Sequence, residues 1–321
     1  MTKRALVTGG SGFIGSNLVS RLILDGWHVE VVDDLSNGHL AFIPRDVIDS
    51  ALWISDFSHG VVLDAIRTGR YDYIFHLAAN PRVSYSVENP VETNDTNVSK
   101  TLKLMDACRG NIKRFVFASS SAVYGQVETV PTTETSATNP ESPYGLQKLL
   151  IEQYLRLYSK LYGLDSACMR FFNVFGKNQL GGSPYSTAVS AWLTAIMSGA
   201  SMRSDGDGSQ TRDMCHVDNV VDALIKAALA DHPLKGEAFN VACGESFSNK
   251  QILDYLLKRF PEAKFHSAPW RPGDVMHTLA DIEKSRQVIG YAPIVPFWQG
   301  LDATIDWHVK NQETLSEMQK Y

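Results

Sequence analysis

The feature that most constrains the fold is a glycine-rich stretch between a predicted strand and a predicted helix. Ala5-Leu6-Val7 is a short apolar run typical of a buried strand, and a helical pattern extends to about Leu24. The residues between them, Thr8 to Gly15, include four glycines. A glycine loop in this context lets the backbone approach a pyrophosphate, which then lies at the helix N-terminus. The alternative is an ordinary tight turn.

Two spacings fit these glycines. Gly10, Gly12 and Gly15 match G-x-G-x-x-G, whereas Gly9 together with Gly12 and Gly15 matches the looser G-x-x-G-x-x-G. The next predicted strand, 28–32, is followed by Asp33-Asp34. An acidic residue at this distance binds the adenosine ribose hydroxyls and repels a 2′-phosphate, so NAD is favoured over NADP. A loop charge is the alternative interpretation of Asp33.

Strands and helices continue to alternate along the chain. Apolar runs predict strands at 52–54, 73–77 and 114–118, and a helix at 94–108. His76, at the end of one of these strands, is interpreted as structural. Alternation of this kind predicts an α/β fold with a doubly wound parallel sheet, which binds ligands at the carboxyl ends of its strands.

A second motif, Tyr144-x-x-x-Lys148, begins a predicted helix, 144–162. Ser142 and Pro143 are start signals for that helix. The two side chains share a helix face, and an ammonium beside a phenol is expected to lower the pKa of the phenol. Such a tyrosine can exchange a proton with a sugar hydroxyl. Alone, the pair also fits the exposed face of an amphipathic helix.

Composition limits the classes of function. A chain of 321 residues is one large domain or two interleaved ones, and its net charge of -5 favours neither nucleic acid nor an anionic membrane surface. The four cysteines are far apart, match no metal spacing and suggest a reducing compartment. Neither a signal peptide nor an apolar run of membrane length is evident, so a cytoplasmic protein without a metal is expected.

Taken together and in order, these motifs resemble those of the extended short-chain dehydrogenase/reductase family. The similarity is to its nucleotide-sugar epimerase and dehydratase branch, including UDP-sugar 4-epimerases, and it covers nearly the whole chain. The matching segments are Gly9–Gly15, Asp33, Asp56, His76–Ala79, Asn97, Ser119–Gly125, Tyr144–Lys148, Arg170–Asn173, Gly206–Gly208 with Arg212-Asp213, and Arg271–Asp274.

The resemblance implies a role for each matching residue. The catalytic set is Ser120, Tyr144 and Lys148, with Ser121 as a bystander. The expected NAD-binding residues are Gly9, Gly12, Phe13, Ile14, Gly15, Asp33, Asp34, Asn37, Gly38, Asp56, Phe57, Leu77, Ala78, Ala79, Asn97, Tyr144, Lys148 and Phe172. The expected substrate-binding residues are Ser120, Asn173, Arg212, Arg271, Asp274 and Thr278.

The same resemblance implies a fold of Rossmann type with a smaller C-terminal substrate-binding lobe. Residues 1–172 form the expected NAD-binding domain, to which 213–260 return, and 173–321 mainly form the lobe. A homodimer is also implied, since the helix 144–162 has two apolar sets and only one can face the sheet.

Ser121 and Ala122 stand where dehydratases of this branch carry an acidic residue after the catalytic serine. Water elimination needs an acid and a base beyond the tyrosine, whereas 4-epimerisation does not. The expected activity is therefore that of an NAD-dependent 4-epimerase. Tyr144 takes the proton of the sugar 4-hydroxyl while hydride passes from C4 to NAD. The 4-keto sugar then presents its opposite face, and the hydride and the proton return. The alternatives are a nucleotide-sugar 4,6-dehydratase and, least favoured, a non-catalytic NAD-binding protein.

The resemblance implies that Thr278 lies beside the sugar 2-substituent, at a position where a tyrosine restricts other members of the family to UDP-glucose and UDP-galactose. A smaller side chain leaves room for an N-acetyl group, so interconversion of UDP-GlcNAc and UDP-GalNAc is expected, with UDP-Glc and UDP-Gal as further substrates. UDP-glucuronate is an alternative, because Arg82 and His277 are able to meet a carboxylate. Asp205 replaces an aromatic residue that holds the base in relatives, which leaves UDP as a default.

Overall fold

A seven-stranded sheet organises the fold. The computed structural model of the protein describes residues 2–127, 129–181, 187–270 and 275–318. Within these ranges the strands are β1 (Arg4–Thr8), β2 (His28–Asp33), β3 (Leu52–Ile54), β4 (Tyr73–His76), β5 (Arg114–Ser120), β6 (Ser166–Phe171), β7 (Val174–Phe175), β8 (Met202–Asp205), β9 (Thr211–Asp213), β10 (Cys215–His216), β11 (Glu237–Val241), β12 (Ser246–Ser248) and β13 (Phe265–Ala268).

The sheet has the strand order β11-β6-β5-β4-β1-β2-β3, and all of its neighbouring strands are parallel. The order reverses between β1 and β4, which is where an open α/β sheet leaves a crevice at the carboxyl ends of its strands. Central strands such as β1 and β4 are almost continuously apolar because both faces of the sheet are covered. The predicted fold class is confirmed.

Helices cover both faces of the sheet. Their bounds are α1 (Phe13–Leu24), α2 (Arg45–Ser50), α3 (Gly60–Arg67), α4 (Val83–Glu88), α5 (Pro90–Asn94), α6 (Thr101–Ala107), α7 (Pro143–Tyr162), α8 (Ala188–Met197), α9 (Val217–Leu229), α10 (Asn249–Arg259), α11 (Glu283–Ile289), α12 (Phe297–Lys310) and α13 (Gln312–Met318). Helices α1 and α9 bury one face with Leu18 and Leu224 in its core. Helices α3, α6 and α7 cover the other, with Ile66, Leu104 and Leu155.

A third core lies outside the sheet. Phe175, Trp192, Ile252 and Phe297 join elements β7, α8, α10 and α12 in this core. Three small two-stranded sheets, β7–β10, β9–β12 and β8–β13, connect these elements. Strand β11 returns the chain from this region to the edge of the large sheet beside β6, within the stretch 213–260 that was expected to return there. The domain boundaries themselves stay a prediction.

Helix α7 begins as its start signals predict. Ser142 is the N-cap and its Oγ accepts a hydrogen bond from the Gly145 amide at 3.1 Å, and Pro143 occupies the first turn. The helix predicted at 94–108 differs, because residues 95–100 form a π-helix between α5 and α6. The wider turn orients Asn97 inward, where its amide bonds to Gln147 of α7.

The described ranges contain no helix that is both long and apolar enough to span a membrane.

Candidate active site

A cleft of about 1860 Å³ lies at the carboxyl edge of the large sheet. Small-molecule sites usually enclose about 300–1,000 Å³, so this cleft has room for two ligands side by side. The predicted site residues that the structure describes line this cleft, with one exception, Asn97. Arg271 and Asp274 lie outside the described residues.

The glycine loop forms one wall of the cleft. Gly9 has a positive φ of 69°, and a Cβ on it would lie 2.7 Å from the amide nitrogen of Ala78. A Cβ on Gly15 would lie 2.1 Å from the Gly9 carbonyl oxygen. The first turn of α1 therefore lies directly on the loop, and its cap, Gly12, has no side chain to occupy the free amides. Backbone N–H groups exposed in this way suit a pyrophosphate.

Asp33 lies at the end of β2 beside that loop. Its two carboxylate oxygens accept hydrogen bonds from the amides of Ser11 and Leu35, both at 2.9 Å. Burial raises the pKa of Asp33, although these amide donors act against the shift. A Cβ on Gly38 would lie 2.9 Å from the same carboxylate, so this loop too is closely packed. A glycine cradle followed by a fixed carboxylate fits the pyrophosphate and ribose of a dinucleotide.

Asp56 and Phe57 follow β3 at the far end of the cleft. Burial acts to raise the pKa of Asp56, but hydrogen bonds from Lys100 and Ser58 outweigh it and hold the pKa below its usual value. The Lys100 Nζ lies 2.7 Å from the Asp56 carboxylate. Lys100 was not predicted from the sequence, because it lies in the π-helix and its partner is distant in the chain. The Phe57 ring packs edge-on against His76.

Asn97 lies one layer below the cleft. Its side-chain oxygen accepts a hydrogen bond from the Asn80 amide at 2.7 Å, and its nitrogen donates to the Asn80 carbonyl and to Gln147. The side chain therefore holds the loop after β4 instead of lining the cleft. His76 is also structural, as expected, because its two ring nitrogens pair with the hydroxyls of Thr8 and Thr101.

Ser120 and Tyr144 meet where β5 ends and α7 begins. A Cβ on Gly145 would lie 2.6 Å from the Ala122 carbonyl oxygen, so glycine permits the start of α7 to approach the turn after β5. The Ser120 hydroxyl interacts with the Tyr144 phenol and acts to lower its pKa. Ser120 also accepts a hydrogen bond from the Ala122 amide at 3.1 Å. The predicted serine and tyrosine thus share one corner of the cleft.

Lys148 was expected to lower the pKa of Tyr144, but the structure of the protein without ligands shows a raised pKa. The Lys148 Nζ lies 5.7 Å from the centre of the Tyr144 ring and donates a hydrogen bond to the Ala118 carbonyl at 2.7 Å. Burial raises the pKa of Tyr144 to about 12 and lowers the pKa of Lys148 to about 7. Loss of hydration disfavours the charged form of each group and is the largest cause of both shifts.

Glu152 and Ser119 belong to the surroundings of the site but were not predicted from the sequence. Glu152 follows Lys148 by one helical turn on the same face of α7 and pairs with Arg170 of β6, with a shortest distance of 2.6 Å. The Ser119 hydroxyl donates to the same carboxylate. The four-residue spacing of Tyr144, Lys148 and Glu152 was visible in the sequence, but nothing there identified the partners of Glu152.

Three predicted substrate residues lie together on the opposite wall. The Asn173 amide nitrogen donates hydrogen bonds to the Thr278 hydroxyl and the Asp213 carbonyl, both at 3.1 Å. Arg212 donates to the carbonyls of Thr211 and Met276. Burial raises the pKa of the neighbouring Asp213 to about 6. Its carboxylate accepts three backbone amide bonds, which fix the strand that precedes the cleft wall.

The loop after β7 joins the two walls. The Asn178 side chain donates to the Ser16 hydroxyl at 2.9 Å, and the Asn17 side chain donates to the Lys177 carbonyl at 3.1 Å. These bonds attach the first turn of α1 to the chain that leads from β7 to α8. Among the described residues no cluster of potential metal ligands is present.

Known proteins are similar to this chain in sequence and fold. Residues 5–242 match the NAD dependent epimerase/dehydratase family. A UDP-glucose 4-epimerase of Mycolicibacterium smegmatis is 35% identical, and the match covers 95% of this chain and 98% of the relative.

Two solved structures extend the comparison. A UDP-N-acetylglucosamine 4-epimerase of Methanobrevibacter ruminantium, in complex with UDP-N-acetylmuramic acid, is 34% identical with a TM-score of 0.90, covering 97% of this chain and 99% of that one. A UDP-glucose 4-epimerase of Thermus thermophilus, in complex with NAD, is 31% identical with a TM-score of 0.85, covering 95% and 98%. The chain therefore belongs to the NAD dependent epimerase/dehydratase family, and NAD is its cofactor.

Proposed function

We propose that this protein is a UDP-sugar 4-epimerase that inverts C4 of a UDP-hexose. The proposal rests on the corner of the cleft where Ser120 and Tyr144 meet. The glycine loop that fits a dinucleotide borders the same cleft, which has room for a second ligand. The relatives described above are 4-epimerases by name, which supports the isomerase class predicted from the sequence.

In the proposed reaction Tyr144 accepts the proton of the sugar 4-hydroxyl and later returns it to the same oxygen. Ser120 positions that oxygen and shares its hydrogen bond with the phenol. NAD, when bound, supplies the acceptor and then the donor of hydride and brings a positive charge into the cleft. Lys148, fixed on the Ala118 carbonyl, would stabilise the phenolate in its charged form. Asn173, Arg212 and Thr278 would hold the UDP-sugar, and Arg271 and Asp274 stay predicted contacts.

A 4,6-dehydratase is less well supported. The turn that follows Ser120 presents Ser121 and Ala122, neither of which can act as the additional acid or base that elimination requires. A UDP-glucuronate 4-epimerase is also less well supported. The Arg82 guanidinium lies over the Tyr85 ring and the His277 ring bonds to Thr211, and neither lines the cleft.

The substrate pair is inferred from the space at Thr278, and the proposal is that UDP-GlcNAc and UDP-GalNAc are interconverted. Thr278 lines the cleft, and its hydroxyl accepts hydrogen bonds from Asn173 and from the Asp213 amide. A tyrosine at position 278 would place a phenol ring in the space that threonine leaves open. Because one close-packed volume cannot hold both this ring and the acetamide group of an N-acetylated sugar, the threonine favours N-acetylated substrates.

A product assay across three substrate pairs, N-acetylated, neutral and uronic, tests this proposal. Thr278→Tyr should lower N-acetylated turnover by at least tenfold relative to UDP-galactose, as a hydrophobic space of this size discriminates by about 10–200-fold. Thr278→Val is the matched control, because it removes the two hydrogen bonds at nearly constant volume and should leave the ratio of the two turnovers unchanged. An unchanged ratio in Thr278→Tyr would contradict the proposed role of Thr278.

We also propose a homodimer, a cytoplasmic location and the two-domain division predicted from the sequence. The dimer is supported by α7, which buries Ile151 and Leu155 against the sheet and exposes Leu157 and Leu161. The location is supported by four free cysteines. The two-domain division is supported by β11. This strand comes after the start of the proposed second lobe in the chain, yet it pairs with β6 of the large sheet.

A further inference from the structure

Glu152 is a buried carboxylate that the proposed reaction does not use. Its relative exposure is 2%, and it lies on the face of α7 that also presents Tyr144 and Lys148 to the sheet. A carboxylate with this little solvent is costly unless it is paired and hydrogen-bonded. The hydrogen-bond and ion-pair partners of Glu152 therefore indicate its role in the protein.

The Glu152 carboxylate joins three elements. One oxygen, Oε1, accepts hydrogen bonds from the Ser119 hydroxyl of β5 at 2.5 Å and from the Arg170 Nε of β6 at 2.9 Å. The other, Oε2, accepts from the second Arg170 nitrogen at 2.6 Å, so the guanidinium binds in a bidentate fork. Helix α7 is thereby fixed to the carboxyl ends of two adjacent strands.

These strand ends carry the proposed catalytic groups. Ser119 stands between Ala118, whose carbonyl accepts the hydrogen bond from Lys148, and Ser120. The hydrogen bond that Ser119 donates to Glu152 therefore fixes the strand segment that sets the distance from Ser120 to α7. Small displacements of reacting groups cost large factors in rate.

Glu152 also bears on the charge of Lys148. Burial lowers the pKa of Lys148 to about 7, and the Glu152 carboxylate acts in the opposite direction. Other titratable or charged groups that face Lys148 and Glu152 from the elements packed around them are His76, Tyr124, Tyr144, Cys168 and Arg170. His76 is neutral because burial lowers its pKa to about 3, and Arg170 is the cation of the pair.

We propose that Glu152 is a positioning residue for the reaction: its carboxylate keeps Lys148 in the ammonium form and holds the strand segment that carries Ser120 against α7. The proposal rests on the proposed function, since it assigns a role through Lys148 and Ser120. It distinguishes Glu152 from a carboxylate that only stabilises the fold.

The proposed effect of the Glu152 charge on Lys148 is tested with Glu152→Gln, which removes the charge and retains the shape of the side chain. Lysine labelled with ¹³C at Cε gives a direct titration of Lys148, whose signal is assigned by its loss in Lys148→Met. Glu152 lies one helical turn from Lys148 on the same face of α7 and acts to raise its pKa, so Lys148 in the variant should titrate at a lower pH than in the wild type. The basic limb of turnover should move to lower pH by a similar amount.

Glu30→Gln is the matched control. Glu30 is equally buried, pairs with Arg70 at 2.7 Å and accepts bonds from Trp53 and Tyr71, but it lies toward the start of β2. Both variants should lower the stability of the fold, whereas only Glu152→Gln should move the Lys148 titration. Equal titrations in the two variants would overturn the charge role, whether or not the protein acts on UDP-sugars.

Positioning is tested separately with Ser119→Ala, which leaves the ion pair intact. We expect turnover to fall by up to about 10²-fold, as for a displacement of reacting groups by about 1 Å, while the Lys148 titration stays at its wild-type pH. This variant also keeps the proposal testable if Glu152→Gln does not fold. Wild-type turnover in Ser119→Ala would overturn the positioning role, whereas a wild-type protein inactive on every UDP-sugar would instead contradict the proposed function.

Discussion

At the scale of single residues, the proposed chemistry depends on two side chains that burial shifts in opposite senses. Tyr144 has a pKa of about 12 and Lys148 one of about 7. Proton transfer near neutral pH is efficient when the pKa of the acid or base lies near the working pH. The site must therefore lower the pKa of Tyr144 when its ligands bind, and the ammonium of Lys148 and the Ser120 hydroxyl are positioned to help.

Tyr144→Phe should abolish most turnover without loss of the fold. The phenyl ring fills the same buried space, so only the proton acceptor is lost, and general acid–base groups contribute about 10²–10⁴-fold. Turnover is measured with the preferred UDP-sugar, and bound NAD by absorbance after gel filtration. Tyr158→Phe, on the same helix but away from the cleft, is the control and should be fully active. Activity of Tyr144→Phe within about tenfold of wild type would rule out the proposed base.

At the scale of elements, the glycine loop leaves no space for a side chain at Gly9 or Gly15. Gly15→Ala would place a methyl group 2.1 Å from the Gly9 carbonyl, so α1 must move away from the loop. Overpacking of this kind costs about 1–3 kcal/mol, and the displaced amides would no longer meet the pyrophosphate.

We expect Gly15→Ala to be purified with little bound NAD, measured as the ratio of released NAD to protein. Gly60→Ala is the control, because a Cβ there meets nothing within 4 Å and the residue lies at the start of a helix. That variant should retain the wild-type content of NAD. Full NAD content in Gly15→Ala would show that the loop adapts without losing its ligand.

The local elements were the most predictable from sequence. The start of α7 followed from Ser142 and Pro143, and the strands from short apolar runs. The π-helix at 95–100 was not predictable, because its wider turn depends on Asn97 finding Asn80 and Gln147, which are distant in the chain. The same reason hides the Glu152–Arg170 pair, whose partners meet only when α7 packs on β6.

The pKa of Tyr144 was predicted wrongly for a related reason. Spacing on a helix places an ammonium near a phenol, but it does not reveal how much water each group loses. In the folded protein both side chains are buried, and the Ala118 carbonyl engages the ammonium. Sequence motifs therefore identified which residues meet, whereas their electrostatics required the packed structure.

At the scale of the whole molecule, the exposed faces of α5 and α7 support the proposed dimer. Val91 is 83% exposed and Leu161 is 57% exposed, and Leu146 and Leu157 continue this apolar surface along α7. A contiguous apolar surface on an otherwise polar protein is typical of an interface. A second copy of the chain would cover it by pairing the same helices across a two-fold axis.

Leu157→Glu should convert the dimer into a monomer, because a charge would face the partner helix without a counter-charge. Light scattering at micromolar protein concentration measures the mass. Leu24→Glu is the control, because Leu24 on α1 is even more exposed than Leu157, at 83% against 45%, and this variant should leave the dimer intact. A monomeric wild-type protein under these conditions would contradict the assembly.

The order of the sheet has a consequence for synthesis of the chain. The last of its strands in chain order, β11, is made after elements β7 to β10 and helices α8 and α9, and it covers the edge of β6. A nascent chain that ends at residue 172 would leave β6 as an open edge, with Cys168 and Met169 lacking the neighbour that buries them. The large sheet therefore cannot be completed on the ribosome before residue 241 emerges. Exchange of the cofactor-binding half between relatives would have to transfer two separate stretches of gene.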